Sequence, residues 1–532
     1  MSKLAILSVF DKTGIAPFAQ ALEKLGITIL STGGTSKHLK DAGVGVKSIS
    51  EYTGHPEILE GRVKSLHPKI HGGILSRRSR EDDMSTLAEH EILPVDFVVV
   101  NLYPFTQKVA EVVEKGDVAH PSLVEDIDIG GPTMIRAAAK NCEFVVPVCD
   151  PADYDKIIAE LKDKGEVSQE LRKELAAKVF AMTARYDAAI ARYFSLGEKL
   201  LDDQGELKQF APFESLTLER EQVLRYGENP HQSAALYRHS AQSSEKRLWT
   251  QLQGKELSYN NLVDMQGSLD LFLELYRTLG NRHAAVAIKH TNPCGVAVRD
   301  TALEAFTAAR QCDPVSIFGG IIAVSGEVDE ELAGSILEQF VELVLVEKLT
   351  DGAKSMFAKK KNLRLIECDF KAMADAELAQ VVKVIGDRVL LQDEDPACCP
   401  INPGLEVTGT VLDDKTLADL KFAWIVAKYV KSNTIVIAKD EQAIGVGAGQ
   451  MSRVDAARIA IERAKLHGFS VDEAVAASDA FLPFPDTLEV LNDAGVKALV
   501  QPGGSVKDDT VIEAAKSRQM NMLFTGERHF RH

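Results

Sequence analysis

The sequence predicts an α/β protein in two regions: a parallel sheet covered by helices on both faces, then a second α/β domain of two comparable halves. Three observations predict this. At 532 residues the chain has room for two to four domains of roughly 100–200 residues each. Short apolar runs alternate with stretches of helical periodicity, the pattern of repeated βαβ units. That alternation lapses into polar turns around residues 197–213 and then resumes.

The first strand is expected at residues 4–9. Ile15, Phe18, Ala19, Leu22 and Leu25 then follow helical spacing, and Gly26 suits the cap that ends such a helix. Further strands are expected at 27–30, 97–100 and 144–148, so the core of this domain is residues 1–150. Residues 151–197, rich in Ala, Lys, Glu and Leu, read as helix. The boundary falls near residue 200, which gives domains of 1–199 and 200–532. In the second domain strands are expected at 285–289, 317–324, 341–346, 434–438, 443–446 and 498–501. A polar stretch at 392–404 divides it at about residue 395, into 200–395 and 396–532. Structurally alike halves are expected, although no clear sequence repeat relates them.

Composition narrows the function. Hydrophobic residues at 45% and charged residues at 26% are ordinary for a folded soluble protein. Against 61 Lys and Arg stand 78 Asp and Glu, a net charge of −17. That excludes the basic footprint of a nucleic-acid or anionic-membrane binder, so small anions would need local clusters of cations. The seven cysteines are odd in number and form no C-x-x-C. This argues against a disulfide framework or a cysteine zinc site and for a reducing cytoplasm. No apolar run approaches 18 residues. The apolar run at 4–10 leads into Asp11 and Lys12 without a small-residue cleavage site, so it reads as a strand rather than a secretory signal.

Loops at strand ends carry the chemistry in such sheets. Residues 8–14 and 31–35 each end a strand and open a helix, offering hydroxyls, backbone N–H groups and a helix N-terminus to a phosphate. Ordinary helix capping is the competing explanation for either loop alone. Residues 61–80 hold six Lys and Arg and two His with no Asp or Glu, which reads as an anion trap. Residues 101–105 leave a buried strand. Asp128 precedes a helix that carries Arg136 and Lys140, with no local geometry to pair Asp128 with Lys140. In the second domain Arg225, Tyr226 and His231 share a turn-rich loop. Lys289 and His290 end a strand, and the following Asn-Pro-Cys-Gly reads as a turn. A cation beside a histidine suits proton transfer at a carbonyl or anionic centre. Residues 317–320, 431–434, 447–453 and 478–484 stand at strand edges, and residues 528–532 read either as a frayed basic tail or as part of a site. No Walker A, G-x-G-x-x-G, H-E-x-x-H or G-x-S-x-G motif occurs.

The motifs SVFDKTG, STGGTS, GRVKSLHPKIHGG, NLYPF, DIGGPTMIRAAAKN, RYGENPHQ, IKHTNPCG, FGG, KSNTIV, GAGQMSR, SDAFLPF and RHFRH occur in this order from residue 8 to residue 532. In them the whole chain resembles the bifunctional enzymes that join phosphoribosylaminoimidazolecarboxamide (AICAR) formyltransferase to IMP cyclohydrolase. The resemblance implies a methylglyoxal-synthase-like, Rossmann-like first domain that closes formyl-AICAR to IMP with loss of water. It implies a cytidine-deaminase-like second domain, without a catalytic metal, that moves a formyl group from 10-formyltetrahydrofolate to AICAR.

For the first site the resemblance implies Lys64, Asn101, Tyr103, Asp128 and Lys140 as the chemical set. Ser8, Lys12, Thr13, Ser31, Gly33, Gly34, Thr35, Arg62 and Ser65 would hold the nucleotide and its phosphate. For the second it implies Lys289, His290 and Asn433 as catalytic. Arg225, Tyr226, His231, Gln450, Arg453, Arg528 and Phe530 would bind nucleotide, and Phe318, Gly319, Gly320, Glu342, Phe481 and Phe484 would bind folate. One departure stands at residues 341–347, where an Ala-Pro turn usual in the family is missing. The family also implies a cytoplasmic homodimer with formyltransferase sites shared between chains, and no nucleic-acid or membrane partner. The rival class is a regulatory phosphate-binding module; Tyr103, Asp128 and Lys140 favour chemistry.

Overall fold

A computed structural model describes residues 3–103, 105–114, 122–196, 210–239, 248–376, 380–398 and 400–532. Pro104, Cys399 and the boundary expected near residue 200 lie outside the described residues. The chain divides into two units, Met1–Glu219 with Arg238–Ser243, and Arg220–Tyr237 with Ser244–His532.

The first unit is built on five parallel strands, β1 (Lys3–Val9), β2 (Ile27–Ser31), β3 (Val46–Ser48), β4 (Phe97–Asn101) and β5 (Val146–Val148), in the order β3-β2-β1-β4-β5. Its helices are α1 (Ile15–Lys24), α2 (Gly33–Asp41), α3 (Ile49–Thr53), α4 (Pro68–Leu75), α5 (Glu81–Glu89), α6 (Phe105–Glu114), α7 (Ser122–Glu125), α8 (Gly130–Lys140), α9 (Tyr154–Lys164) and α10 (Gln169–Leu196). Strand residues alternate between faces. Ala5, Leu7 and Val9 pack with Ile15, Phe18 and Leu22 of α1, while Leu4 and Ile6 pack with Ile70, Met134 and Ile135. Burial on both faces explains why these strands read as unbroken apolar runs. Leu25 caps α1 and is 43% exposed rather than part of its buried stripe. Gly26 follows at φ 76, as its place in the sequence predicts. The order reverses direction between β1 and β4, and the crevice at such a switch point is where open α/β sheets bind ligands.

β6 (Leu218–Leu224) and β7 (Ala234–His239), each divided between the two units, form a small two-stranded sheet. The main sheet of the second unit has eleven strands. The chain contributes β8 (Trp249–Gln253), α11 (Tyr259–Tyr276), β9 (His283–Lys289), β10 (Asn292–Arg299), α12 (Ala302–Cys312), β11 (Ile321–Val328), α13 (Glu330–Leu337), β12 (Leu343–Leu349), α14 (Asp351–Phe357), β13 (Arg364–Cys368) and α15 (Phe370–Ala374). A separate hairpin, β14 (Gln380–Ile385) with β15 (Arg388–Asp393), follows. Then come α16 (Asp414–Lys428), β16 (Ile435–Lys439), β17 (Gln442–Gly447), α17 (Arg453–Leu466), β18 (Val475–Ser478), α18 (Asp486–Asp493), β19 (Ala498–Gln501), α19 (Asp508–Ser517) and β20 (Asn521–Phe524).

These runs repeat one plan. A helix leads to an antiparallel hairpin; after another helix comes a strand antiparallel to the hairpin's first strand, and two more helix–strand units add parallel strands. β9 to β13 follow this plan, and so do β16 to β20. The halves join where β10 pairs antiparallel with β17, Ala297 opposite Gln442. On one face α11 and α16 share a single core containing Phe272, Phe370 and Trp424. On the other face each half keeps its own core, around Phe306 and Phe357 in the first and Leu482 and Leu488 in the second.

Two expectations are corrected. Residues 292–295 are not a turn but the start of β10, and the chain reverses one step earlier, at His290 and Thr291. The strand expected from residue 317 begins at Ile321. Residues 314–319 form a turn pinned by Asp313, whose carboxylate accepts from Ser316 N at 2.8 Å and Ser316 Oγ at 2.6 Å.

Each hairpin lies hard against the helix that follows it. A Cβ on Gly295 would stand 2.2 Å from Ala309 O of α12, and one on Gly445 would stand 2.2 Å from Ala460 O of α17. We expect Gly295→Ala and Gly445→Ala each to lower stability by about 2–3 kcal/mol. Urea unfolding checks this, and a midpoint unchanged in either variant would refute the close packing.

Candidate active sites

In the first unit the switch point between β1 and β4 is stitched by side chains. Asn101, the last residue of β4, accepts from Phe10 N at 2.6 Å and Asp11 N at 3.0 Å, and donates to Asp11 O at 3.1 Å. Asp11 accepts from Thr13 N at 2.9 Å, and its bonds to Thr13 hold its carboxyl below the ordinary range. Lys12 folds back to donate to Val9 O and, at 3.1 Å, to Thr35 Oγ1. Its partial burial lowers the ammonium pKa. Ser8 lies opposite Val100 in the β1–β4 register.

The two loops read as phosphate cradles therefore lie side by side, but their hydroxyls serve the fold. Ser31 Oγ donates to Leu7 O at 2.6 Å, and Thr35 Oγ1 donates to Val9 O at 2.9 Å. What remains for an anion is backbone. Thr32 makes no side-chain cap on α2, and a Cβ on Gly34 would meet nothing within 4 Å. The first N–H groups of the helix therefore lack the usual cap, at the positive end of its dipole.

Lys64 reaches the same place. Its Nζ lies 3.9 Å from where a Cβ of Gly33 would stand. Asp128 accepts from Gly131 N at 2.9 Å, and its own N–H donates to Tyr186 Oη at 2.7 Å. Burial raises the Asp128 carboxyl, while the Gly131 and Gly130 N–H groups and the Lys64 charge oppose that rise. Ser65 is buried, its Oγ 2.7 Å from where a Cβ of Gly130 would stand. The Tyr103 ring lies 4.8 Å from that of Phe10.

Lys140 does not join this cluster. It is exposed at the far end of α8, ~15 Å along the axis from the end that Asp128 leads into. The basic run at 61–80 is not one anion trap either. Arg77 forms a two-bond pair with Asp83 at 2.8 and 2.9 Å, which takes the Asp83 carboxyl down to about 2. Arg78 pairs with Asp96 at 2.9 Å, Arg80 with Asp82 at 3.7 Å and Arg62 with Glu125 at 3.5 Å. The acids come from outside the run, so its composition alone concealed them. Tyr186 was missed because it stands on α10, far along the chain from the loop it braces.

In the second unit Lys289 and His290 stand at the tip of the β9–β10 hairpin. Lys289 Nζ donates to Phe318 O at 2.8 Å and would lie 3.2 Å from a Cβ on Gly319, whose φ is 69. Gly319 N donates to Phe340 O at 2.7 Å, and the Phe318 and Phe340 rings stand 5.4 Å apart. Glu342 N donates to Gly320 O at 3.1 Å, and the Glu342 carboxylate pairs with Arg364 at 2.5 Å. Lys289 thus lies against the turn at 318–320, beside the exposed rings of Phe318 and Phe340. Arg225 stacks on Tyr226 at 4.7 Å. Their loop, which ends beyond the exposed His231, is tied to the start of α11 by Asn260 Nδ2 donating to Glu228 O at 3.2 Å.

Asn433 leaves the same sheet edge, because β16 begins where β17 ends and β17 ends beside the start of β10. Its backbone exchanges hydrogen bonds with Gln450 at 3.0 and 3.1 Å, and Lys431 N donates to Asn292 Oδ1 at 3.2 Å. Arg453 opens α17 with its guanidinium 5.9 Å from the Phe481 ring. Phe484 stacks with Lys507 at 4.3 Å. The C-terminal tail is anchored, not frayed. His529 is buried and bonded to Asp395 at 2.6 Å, and Arg531 bonds Asp270 at 3.0 Å. Exposed Arg528 and Phe530 stack on each other at 4.6 Å.

The model of the AICARFT/IMPCHase bienzyme family matches residues 138–463, and that of the MGS-like domain matches residues 14–133. The bifunctional purine biosynthesis protein PurH of Magnetococcus marinus is 46% identical over 541 aligned residues, spanning 100% of this chain and 99% of that protein. The chain belongs to the AICARFT/IMPCHase bienzyme family. A solved structure described as the crystal structure of ForH is 40% identical and covers 36% of this chain and 98% of that one, with a TM-score of 0.32. As a bienzyme of this family the chain is a bifunctional enzyme of purine biosynthesis, with AICAR formyltransferase and IMP cyclohydrolase activities. Its substrates are AICAR and formyl-AICAR, and the bienzyme takes its formyl group from a folate-type co-substrate. Among the described residues no helix is long and apolar enough to cross a membrane, and no group of three or more His, Cys, Asp or Glu is placed to hold a metal ion.

The close approach of Gly319 to Lys289 yields a prediction. A methyl group at residue 319 crowds the Lys289 ammonium, so Gly319→Ala should slow the bienzyme's formyl transfer about 10-fold or more and leave cyclisation unchanged. Separate assays of the two activities check this, and equal losses in both would contradict it.

Proposed function

We propose that the cyclohydrolase works in residues 1–199 and the formyltransferase in residues 200–532, the latter from halves of about 200–395 and 396–532, with 10-formyltetrahydrofolate as donor. The observation that carries this reading is the separation of two chemistries. A half-buried acid and a lysine gather at the parallel-sheet switch point, and a Lys–His hairpin stands beside the Phe318 and Phe340 rings.

In the cyclisation the carboxamide nitrogen of formyl-AICAR attacks the formyl carbon, and the oxygen leaves as water. Charge develops on that oxygen, so donors aimed at it lower the barrier. Lys64 and Tyr103 supply them, and Asp128 accepts the proton from nitrogen. The N–H groups of Gly33 and Gly34 hold the phosphate with Lys12, and Asn101 positions the loop that carries Lys12. Lys140, at the other end of α8, stands too far from Asp128 to exchange a proton with it directly.

In the formyl transfer the AICAR amine is a weak nucleophile, because its lone pair is delocalised into the ring and the carboxamide. His290 removes its proton as it attacks, and Lys289 stabilises the formyl oxygen; the formyl C–N10 bond of the donor then breaks, and tetrahydrofolate leaves as that nitrogen takes up the proton. Phe318, Gly319, Gly320 and Glu342 border the folate, while Gln450, Arg453, Arg528 and Phe530 hold the nucleotide with Arg225, Tyr226 and His231. Asn433 serves the same edge. In one chain, however, β11, which follows the Phe318 turn, and β18, which precedes Phe481 and Phe484, stand five strand spacings apart, or ~24 Å. One pterin cannot touch both sets, which supports a homodimer whose formyltransferase sites draw on both chains. The six described cysteines are free, which supports a reducing, cytoplasmic setting.

The central test supplies purified protein with AICAR and 10-formyltetrahydrofolate and follows IMP. Asp128→Asn should accumulate formyl-AICAR, with cyclisation down about 100-fold or more and formyl transfer intact; loss of both activities in a folded variant contradicts the two-site assignment. The pH dependence has a definite sign. A carboxyl raised by burial protonates at a higher pH than an ordinary aspartate at 3.8, so cyclisation by the unaltered protein should fail on the acid side above that value. An acid limb at or below it would exclude Asp128 as the base. A dilution series gives a further test: formyl transfer should fall as the dimer dissociates while cyclisation persists. Activity proportional to a stable monomer would overturn the shared site.

A further inference from the structure

The turn that carries the catalytic pair has a backbone shape its residues disfavour. His290 at φ 52 and Thr291 at φ 61 both lie in the left-handed region. Two-residue hairpin turns require this and usually fill it with Asn or Gly; a branched threonine is a poor occupant. Two of its bonds are local: Thr291 Oγ1 donates to His290 O at 2.7 Å, and Asn292 Nδ2 donates to the same oxygen at 3.1 Å. A third reaches outside the turn. Thr291 N donates to Asp264 Oδ1 of α11 at 2.7 Å. Gly267 of the same helix packs under the turn, at a distance where a Cβ would make ordinary contact, 3.5 Å from Thr291 Cα.

The second half of the sheet contains the same brace without the chemistry. Its hairpin turns at Asp440 (φ 54) and Glu441 (φ 48), and Glu441 N donates to Asp419 Oδ1 at 2.6 Å. Asp264 is the sixth residue of α11 and Asp419 the sixth of α16. The fold therefore uses an aspartate at one helix position to hold a left-handed turn, twice. Only the first turn presents a histidine.

We propose that Asp264 is a positioning residue for formyl transfer: by accepting the Thr291 N–H it fixes the point from which Lys289 and His290 reach the amine and the formyl group. This rests on the assignment of formyl transfer to that pair. The test measures formyl transfer, cyclisation and urea unfolding of the full-length protein as Asp264→Ala, Asp264→Asn, Asp419→Ala and His290→Ala. Asp264→Ala should lower kcat for formyl transfer about 10- to 100-fold, with KM for AICAR within about twofold and cyclisation unchanged. Asp264→Asn, which keeps an acceptor oxygen, should return kcat to within about threefold of the unaltered protein. Asp419→Ala should lose comparable stability and keep its kcat. The proposal is overturned if Asp264→Ala keeps full kcat while His290→Ala is inactive. It also falls if Asn rescues no better than Ala, or if Asp419→Ala loses as much kcat. Full activity in His290→Ala would instead remove the assignment of the pair itself, and the proposal with it.

Discussion

The antiparallel pairing of β10 with β17 decides where the second unit can act. It joins two similar halves into one sheet and turns one against the other. The hairpin tip of the first half therefore opens on the same edge as the strand ends of the second, Gly447 and Ser478, and the second hairpin tip opens on the opposite edge. Without this seam β10 and β17 would each be an open edge strand, with a row of unpaired backbone groups. The seam is fastened at both ends. Lys431 N bonds Asn292 at one edge. At the other, Arg299 donates to Asp440 O at 2.6 Å and Gln442 Oε1 at 2.7 Å, and Arg282 pairs with Glu441 at 2.6 Å. The common core under α11 and α16 is a further consequence, since those helices can share a layer only if the sheet beneath them is continuous.

The same economy governs charge. An acidic protein that handles phosphorylated substrates must keep some cations uncompensated. Several cations with structural duties are paired with carboxylates, among them Arg77, Arg78 and Arg80 in the first unit, and Lys428, whose bond to Glu274 at 2.7 Å leaves both side chains 4% exposed. Lys12 and Lys289 instead donate to carbonyl or hydroxyl oxygens. Those acceptors fix the ammonium in place without cancelling its charge, so it remains available to an anion or a developing oxyanion.

Much of this was legible in the sequence, for identifiable reasons. β1, β2, β4 and β9 are buried on both faces and read as apolar runs. The α1 stripe reads correctly because its spacing and its terminal glycine agree. The Lys–His pair stood out because an apolar strand leads into it. The turn itself was misplaced because Asn-Pro-Cys-Gly carries every local turn signal, whereas His290 and Thr291 carry none; their shape is imposed from α11. Asp264 was invisible for the same reason, being an ordinary helix residue until the hairpin is folded over it. β18 and β20, of four residues each, went unread, although β19 of the same length was expected. In the first unit the hydroxyls of Ser31 and Thr35 were legible as polar groups at strand ends, but which partner they would choose was not.

The internal repeat was expected from the division of the chain but has no clear repeat in sequence, and it separates what the fold requires from what the chemistry requires. Lys289 and Lys439 both donate at 2.8 Å to the carbonyl three residues before the next strand, Phe318 O and Asp472 O. Gly319 at φ 69 and Glu473 at φ 60 share a left-handed conformation, and their N–H groups donate to Phe340 O at 2.7 Å and Gly495 O at 2.9 Å. Backbone shape, lysine tether and aspartate brace are therefore common property of the two halves. The side chains are not. Where the first half has His290, Phe318, Gly319 and Phe340, the second has Asp440, Asp472, Glu473 and Gly495. Because Glu473 adopts the backbone that Gly319 adopts, conformation alone does not demand a glycine at 319. What the glycine avoids is crowding, since a Cβ there would stand 3.2 Å from the Lys289 ammonium and 3.5 Å from the Phe340 ring. Phe318 and Phe340 leave apolar ring surface exposed, which does nothing for folding; on the proposed assignment that surface is where a flat folate ring would lie.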